Sequence, residues 1–472
     1  MEQHTAQVND PIPLRLHAEY LPNIRQVSLQ ISIPANAEPE ISLSESRRAV
    51  SVSVSLPEPI GDVSETMKLP VRASEASRGL LRASNLNPNL HSSRSRNEIG
   101  TGTAADNSRD GRGVSGEERE FSYRMQVDDE EYLRRQRDTV EETMDSFVPW
   151  AADDMKSATG LRCRACERVF LDAATANATI SPLQSEGTDT DKVQPVGWVW
   201  KDLPSGNWAE MMDFWHCHKP DPREDGTDGT SKPLAEDENS KVKGYGASNQ
   251  VLASPGTVLV DVATFLVSKT ECKGLRKVLK DRADNPLWLS EEELVCEACN
   301  TLIGVDDTIA KGWRLFKTSL VAVFPAKGGV ATEAYWESHP TELVIAAQLL
   351  ELIERESARR FIIHCGRNDG LLVWVFNPDM RYSNSSTEHS ITSQRAMKVF
   401  FQTTANVDEL LHPPPGRMSS LSLEELRLPP DTFTSLSDAL EESNRRFPRS
   451  ARTFQQDWSV GILHRYERSK PT

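Results

Sequence analysis

Two cysteine pairs of identical spacing, Cys163-Arg-Ala-Cys166 and Cys296-Glu-Ala-Cys299, stand far apart in the chain and constrain its fold more than any other feature. Zinc prefers thiolate sulfur in a tetrahedral shell, and a Cys-x-x-Cys turn aims two sulfurs at one ion without strain. Asn300, directly after the second pair, tolerates the left-handed backbone that such a turn often needs. Two other readings compete: a redox Cys-x-x-Cys, which needs a single pair at a helix start in a βαβ pattern absent here, and two unrelated free pairs. The expectation is one zinc ion shared by Cys163, Cys166, Cys296 and Cys299. Four thiolates leave no position open for water or substrate, so its role is structural, and it would staple together residues far apart in sequence.

The chain has 472 residues, enough for two or three domains, but 38% apolar and 26% charged residues imply that part of it does not pack. A formal charge of −16 argues against direct nucleic-acid binding and against acidic membrane surfaces, and no basic patch with interleaved aromatics offsets it. The first residues show no basic stretch leading into an apolar core, so the expected location is the cytoplasm, the nucleus or both. No stretch reads as a membrane span. The longest apolar run, Leu343 to Ile353, is interrupted by Gln348 and Glu351 and reads as a buried amphipathic helix. Seven cysteines, an odd number, fit reduced and partly metal-bound thiols better than a disulfide framework.

The pattern along the chain predicts an α+β protein. Residues 1–74 alternate apolar and polar side chains in PLRLHAEYL, IRQVSLQISI, AVSVSVSL and MKLPVRA, the signature of an antiparallel, sandwich-like β-rich region. Residues 75–118 are poor in apolar side chains and read as a disordered insert; REFSYRMQV then returns as a strand. The stretch 119–220 carries that strand, the first cysteine pair and a tryptophan segment, and 221–244 reads as a second, acidic disordered insert. Residues 245–472 hold the second cysteine pair and a mixed α+β region. Strands are expected in TVLVDVATFLVS, GWRLFKTSLVAVF, GLLVWVFNPDM, AMKVFFQTT and DWSVGILHRY, and helices in TELVIAAQLLELIERESARRF and PPDTFTSLSDALEESNRRF.

The tryptophan segment, LPSGNWAEMMDFWHCHKP at 203–220, places Trp208, Met211, Met212 and Trp215 at helical spacing, which fits a helix docked on a core. The run His216-Cys217-His218 that follows is less easily explained by packing. A metal-binding role and a nucleophilic Cys217 activated by a neighbouring histidine both stand beside a buried role. Cys272, in KTECKGLRK, and His364/Cys365, at an expected helix end, read as buried side chains.

The motifs CRAC, LPSGNWAEMMDFWHCH, CEACNTLIGVDD with GWRLFKTSL, LPPDTFTSLSDALEESNRRF and WSVGIL together resemble the HECT-like ubiquitin-conjugating-enzyme-binding proteins, in a fungal version. The resemblance runs over roughly residues 13–60 and 119–465. It implies a ubiquitin-protein ligase, a transferase that takes ubiquitin from a ubiquitin-conjugating enzyme and passes it to protein substrates. A HECT-type reaction needs a cysteine thiolate for transthiolation. Cys217 is the first choice, with His218 or His216 as base, and Cys365 the second; no cysteine follows Cys365. The resemblance also implies a non-catalytic alternative in mRNA 3′-end processing. In that role the chain inhibits or chaperones the zinc-dependent pre-mRNA 3′-end cleavage endonuclease by offering Cys217 and His218 to its metal site. Trp208 and Trp215, with Cys217 and His218, are the expected partner contacts.

Overall fold

Where apolar and polar residues alternate, one face of the backbone can be buried, and these stretches form strands throughout the chain. The computed structural model describes residues 14–86 (apart from 36, 59 and 60), 92–94, 118–140, 147–172, 197–203, 251–280, 292–325, 334–385, 390–414 and 423–468 (apart from 456). The chain divides into two units, Met1–Thr143, Val373–Gln402 and Ser437–Glu467 in the first, and Met144–Leu372, Thr403–Leu436 and Arg468–Thr472 in the second. The described residues are β-rich with six α-helices, consistent with α+β, and none of those helices is long and apolar enough to cross a membrane.

The first unit begins with β1 (Arg15–Leu21), β2 (Gln26–Pro34), β3 (Pro39–Leu43), β4 (Ala49–Ser55) and β5 (Asp62–Lys68), followed by α1 (Glu75–Leu86), β6 (Ser92–Arg94), β7 (Glu118–Gln126) and α2 (Asp129–Val140). β3, β4 and β5 form a three-stranded sheet, while β1, β2, β7 and β6 are neighbours in a larger one. The returning strand, β7, lies antiparallel to β2 with Phe121 opposite Ile31 and Tyr123 opposite Leu29. Ile41, Val50, Val52 and Met67 of the small sheet share one core with Leu16, Ala18, Leu29 and Ile31 of the large one. Each of the larger side chains among them contributes about 1.5–3 kcal/mol on burial.

Residues 75–86 correct the reading of 75–118 as a disordered insert, because they form α1. Its Leu81 is buried and Leu80 packs against the same core. The Asn85 side chain is bonded to the Ile41 backbone both ways, accepting from its N–H at 3.1 Å and donating to its carbonyl at 2.9 Å. Two leucines and one amide suffice to dock a short helix on a sheet, although the window around them is polar. Residues 95–117, like the acidic insert 221–244, lie outside the described residues.

The second unit contains α3 (Ala152–Met155), β8 (Gly160–Cys163), β9 (Val169–Asp172), β10 (Val199–Asp202), β11 (Thr257–Val260), β12 (Thr264–Ser268) and β13 (Leu275–Leu279). It continues through β14 (Glu292–Cys296), β15 (Leu302–Asp307), β16 (Gly312–Phe316), β17 (Leu320–Phe324), β18 (Tyr335–Glu337), α4 (Thr341–Glu356) and β19 (Arg360–His364). Seven strands run in the order β10-β11-β12-β16-β15-β14-β13 and four in the order β18-β17-β8-β9. TVLVDVATFLVS is therefore a hairpin rather than one strand. Asp261 turns it, accepting from the Val262 N–H at 2.8 Å and the Thr264 hydroxyl at 3.2 Å. GWRLFKTSLVAVF is likewise split, by a single 3-10 turn at Lys317–Ser319 that carries the chain from one sheet to the other.

After β20 (Gly370–Ser385) and β21 (Ile391–Thr404) come α5 (Val407–Leu411), β22 (Leu423–Arg427), α6 (Pro430–Arg446), β23 (Thr453–Phe454) and β24 (Trp458–His464). β20, β21, β24 and β23 extend the large sheet of the first unit beyond β1. In that sheet Glu19 is buried between the Lys398 ammonium, 2.8 Å away, and His17, 3.0 Å away. Burial pushes the Glu19 carboxyl up, but the two partners outweigh it and hold the pKa well below the carboxylate range.

Lys317 is a buried cation of the second unit. Its Nζ donates to the carbonyls of Pro149 at 2.8 Å and Trp150 at 3.2 Å. Burial pulls its pKa down to about 7, against the opposing pull of Asp261, Asp202 and Asp154. The unfolded chain therefore holds this proton more tightly than the fold does. Stability should rise with pH from about 7 toward the free-lysine range, with the penalty complete below 7. In denaturant unfolding at pH 7 and pH 9.5, the difference between the native chain and Lys317→Met should narrow or reverse in favour of the native chain at the higher pH. A difference independent of pH would show that Lys317 does not titrate in this way.

Candidate metal centre

The two Cys-x-x-Cys segments are built alike. Cys163 ends β8 and Cys296 ends β14, and each strand turns back into an antiparallel partner, β9 and β15 respectively. In the first turn the Cys163 N–H donates to the Arg168 carbonyl at 2.8 Å and the Glu167 N–H to the Cys163 carbonyl at 2.9 Å. The second repeats this, Cys296 N–H to the Thr301 carbonyl at 2.9 Å and Asn300 N–H to the Cys296 carbonyl at 2.9 Å. Closing so tight a turn requires a left-handed residue after the second cysteine: Asn300 takes φ 61° and Glu167 φ 63°. Asn adopts this conformation readily, whereas Glu does so at a cost of about 1–2 kcal/mol.

The hairpins come from different sheets, and their tips meet. The Sγ atoms of Cys163 and Cys299 are 3.6 Å apart, those of Cys166 and Cys296 3.5 Å apart. All four sulfurs lie within 4.8 Å of one another. A tetrahedron of sulfurs 2.3 Å from a central ion has edges of about 3.8 Å, so the cluster is the right size to close on one metal ion. Cys163 and Cys296 are buried, Cys299 is half-buried and Cys166 exposed. An ion pair between Arg168 and Glu297, 3.3 Å, joins the two turns at the surface.

The thiols are electrostatically unequal. Burial pushes Cys163 up to about 12, although the N–H groups of Cys166 and Ala165 point at its sulfur and pull the other way. At Cys299 burial also raises the pKa, but the Thr301 hydroxyl and N–H and the neighbouring thiols outweigh it and hold the value down to about 6. Thr301 hydroxyl and Cys299 Sγ are 3.2 Å apart. Without a cation the four sulfurs cannot all be ionised at neutral pH; a bound metal removes that conflict by replacing the protons.

Cys272 packs against the core that contains Cys163 and Cys296. Burial, reinforced by the Glu271 charge, pushes its thiol well above the ordinary range. His364 ends a strand, β19, rather than a helix, and Cys365 follows directly, because Phe361-Ile362-Ile363 pairs in parallel with β22. His364 is fully buried. Its Nδ1 accepts from the Gly366 N–H at 3.2 Å, which leaves Nε2 to donate to Glu425 at 2.8 Å. That hydrogen bond is the chief cause holding Glu425 down to about 2. Cys365 is half-exposed beside Arg367, whose guanidinium bonds to its sulfur. Trp208, Trp215, His216, Cys217 and His218 lie outside the described residues. The sequence did not single out Thr301, which contacts Cys299 within the same turn, or Glu425, which reaches His364 only through the pairing of β19 with β22.

These features define a two-unit, β-rich protein whose second unit converges on a four-cysteine cluster. The chain belongs to the HECT-like ubiquitin-conjugating enzyme (E2)-binding family, whose model matches residues 19–460. An uncharacterised protein of Saccharomyces cerevisiae is 24% identical over 263 residues, 56% of this chain and 62% of that one. An uncharacterised protein of Schizosaccharomyces pombe is 24% identical over 332 residues, 68% of this chain and 78% of that one. The chain thus spans less than two thirds of the budding-yeast relative's length. No solved structure matches it.

Metal analysis of the purified chain should find one ion per molecule. Cys163→Ser or Cys296→Ser should remove it and unfold the second unit, and a strong chelator should do the same to the native chain. Metal-free protein with an unchanged unfolding transition would refute a metal-held fold.

Proposed function

We propose that this chain is a ubiquitin-protein ligase of the cytoplasm or nucleus, which binds a ubiquitin-conjugating enzyme around a framework stapled by zinc at Cys163, Cys166, Cys296 and Cys299. The observation that carries this reading is the family match over residues 19–460, which takes in both units and the whole cluster. Four soft sulfurs at tetrahedral spacing favour zinc, and a closed shell leaves it no catalytic position. Chemistry must then come from another thiol. Transthiolation forms a thioester between that sulfur and the ubiquitin carboxyl carbon while the conjugating enzyme's thiolate departs; a substrate lysine amine then displaces the sulfur.

Cys272 is poorly suited, being half-buried against the core with its thiol held protonated. Cys217, with His218 or His216 as base, remains the first choice. Cys365 is the second, supported by its half-exposed position and the Arg367 guanidinium at its sulfur. His364 gives it no base, since both ring nitrogens are already engaged. The competing reading is a non-catalytic partner that inhibits or chaperones the zinc-dependent pre-mRNA 3′-end cleavage endonuclease through Cys217 and His218, with Trp208 and Trp215 as contacts.

Incubation with activating enzyme, conjugating enzyme and ubiquitin should yield a ubiquitin adduct that thiol reductant removes. Cys217→Ser should abolish it; persistence there with loss in Cys365→Ser would transfer the role. Binding of the conjugating enzyme without any adduct would sink the ligase reading. Co-purification of the endonuclease, lost on Cys217→Ala with the fold intact, would favour the competing one.

A further inference from the structure

The outer face of the four-stranded sheet β18-β17-β8-β9 carries apolar side chains that stay partly exposed. Strand alternation sends Leu161 and Cys163 of β8 into the core and Arg162 to the other side. Leu320, Ala322 and Phe324 of β17 likewise face the core, which turns Val321 and Val323 outward. The register sets Arg162 beside Val321 on one flank and Val169 of β9 on the other. Trp336 of β18 stands opposite Val323 and is 42% exposed, Val169 is 37% exposed, and Val321 is half-buried. The Arg162 guanidinium lies over the Trp336 ring, 4.6 Å from its centroid, and so reaches across β17 to β18. No carboxylate among the described residues forms an ion pair with it, Asp172 opposite Gly160 included. Arg164, exposed two residues further on, donates to the carbonyls of Thr318 at 3.3 Å and His339 at 3.0 Å, and it too has no carboxylate partner among the described residues.

Stacking on an indole fixes the orientation of a guanidinium without neutralising it and leaves its N–H edge open to a planar carboxylate. Trp and Arg are the side chains that most often dominate the energy of a protein interface, provided that contacts around them exclude water. Val169, Val321 and Val323 supply such contacts here. In a chain of formal charge −16, two guanidiniums without acids mark a place where an acidic partner is attracted rather than repelled. The chemistry that fits this face is a protein surface presenting an apolar side chain with a carboxylate beside it.

We propose that this face, centred on Trp336 and Arg162, docks the ubiquitin-conjugating enzyme, which brings that apolar side chain and carboxylate. This rests on the ligase reading above, whose supporting family match spans all four strands. Because Arg162 and Cys163 point to opposite sides of β8, docking needs no access to the cysteine sulfurs and leaves the metal centre a structural one.

The test is the affinity of the full chain for a panel of purified ubiquitin-conjugating enzymes, free of ubiquitin, measured by calorimetry. Trp336→Ala should weaken binding of the enzyme that the native chain selects about 30-fold, the scale of a hot-spot truncation. Arg162→Gln should weaken it roughly tenfold and Arg162→Glu further, and the gap between these two should shrink in about 1 M salt. Both positions are on the surface, so the variants should keep the native unfolding transition. If Trp336→Ala does not, Arg162→Glu, which removes no packed ring, decides alone. Arg355→Gln, which breaks an ion pair with Glu351 on α4, should bind as the native chain does. Native-like affinity in Trp336→Ala and Arg162→Glu would overturn the docking face and leave the ligase reading standing. Loss of self-association in these variants by sedimentation, with enzyme binding unchanged, would assign the face to a second copy of the chain and overturn the proposal equally. A native chain that binds no conjugating enzyme of the panel would instead overturn the ligase reading itself, and this inference with it.

Discussion

The meeting of two hairpin tips through four sulfurs is the constraint on which the second unit depends. It joins residues 130 and 136 positions apart, a closure whose length-dependent entropy costs roughly 4 kcal/mol. Zinc binding to a cysteine site in small metal-dependent domains contributes about 10–16 kcal/mol at neutral pH, so one such ion bound by these four sulfurs would exceed the closure term with a margin left for ordering the turns. Thiol contacts alone give no comparable margin, because S–H is a weak donor and sulfur a weak acceptor. With no ion bound there, the two sheets of this unit would share a core but lack a tie at its end.

What surrounds the cluster follows from that tie. Leu161, Leu294 and Leu320 are fully buried beside Cys163 and Cys296 in one core, so these two sulfurs sit at the edge of an apolar interior while Cys166 faces solvent. Glycines let the strands approach: a Cβ at Gly160 would come within 2.4 Å of the Leu171 carbonyl oxygen, and one at Gly304 within 2.1 Å of that of Arg314. Lys317 marks the passage between the two sheets. A charged lysine buried at a sheet-to-sheet turn is costly, and its depressed pKa together with its two carbonyl partners shows how the fold accommodates it.

Family membership and the cluster bear on function differently. The family concerns binding of a ubiquitin-conjugating enzyme, whereas a closed shell of four thiolates is suited to holding structure and not to exchanging a ligand. Any group transfer therefore belongs to a thiol outside the cluster. Cys272 is set apart by burial, and His364, the nearest histidine in sequence to Cys365, is committed to Glu425 and to the backbone of Gly366.

Much of this was determined by sequence alone. Equal Cys-x-x-Cys spacings are local, and the turn they need is encoded within six residues, so both hairpin tips could be read directly. The same holds for β1, β2 and β4, whose alternation needs no tertiary help, and for α4, whose apolar stripe is continuous. Tertiary structure decided what depends on pairing at a distance. It showed that 75–86 is a helix because Asn85 finds the Ile41 backbone, that GWRLFKTSLVAVF breaks at Lys317 because its halves serve different sheets, and that His364 ends a strand because β22 lies beside it. Pairings between residues distant in sequence leave no periodic trace, and only the fold brings them together.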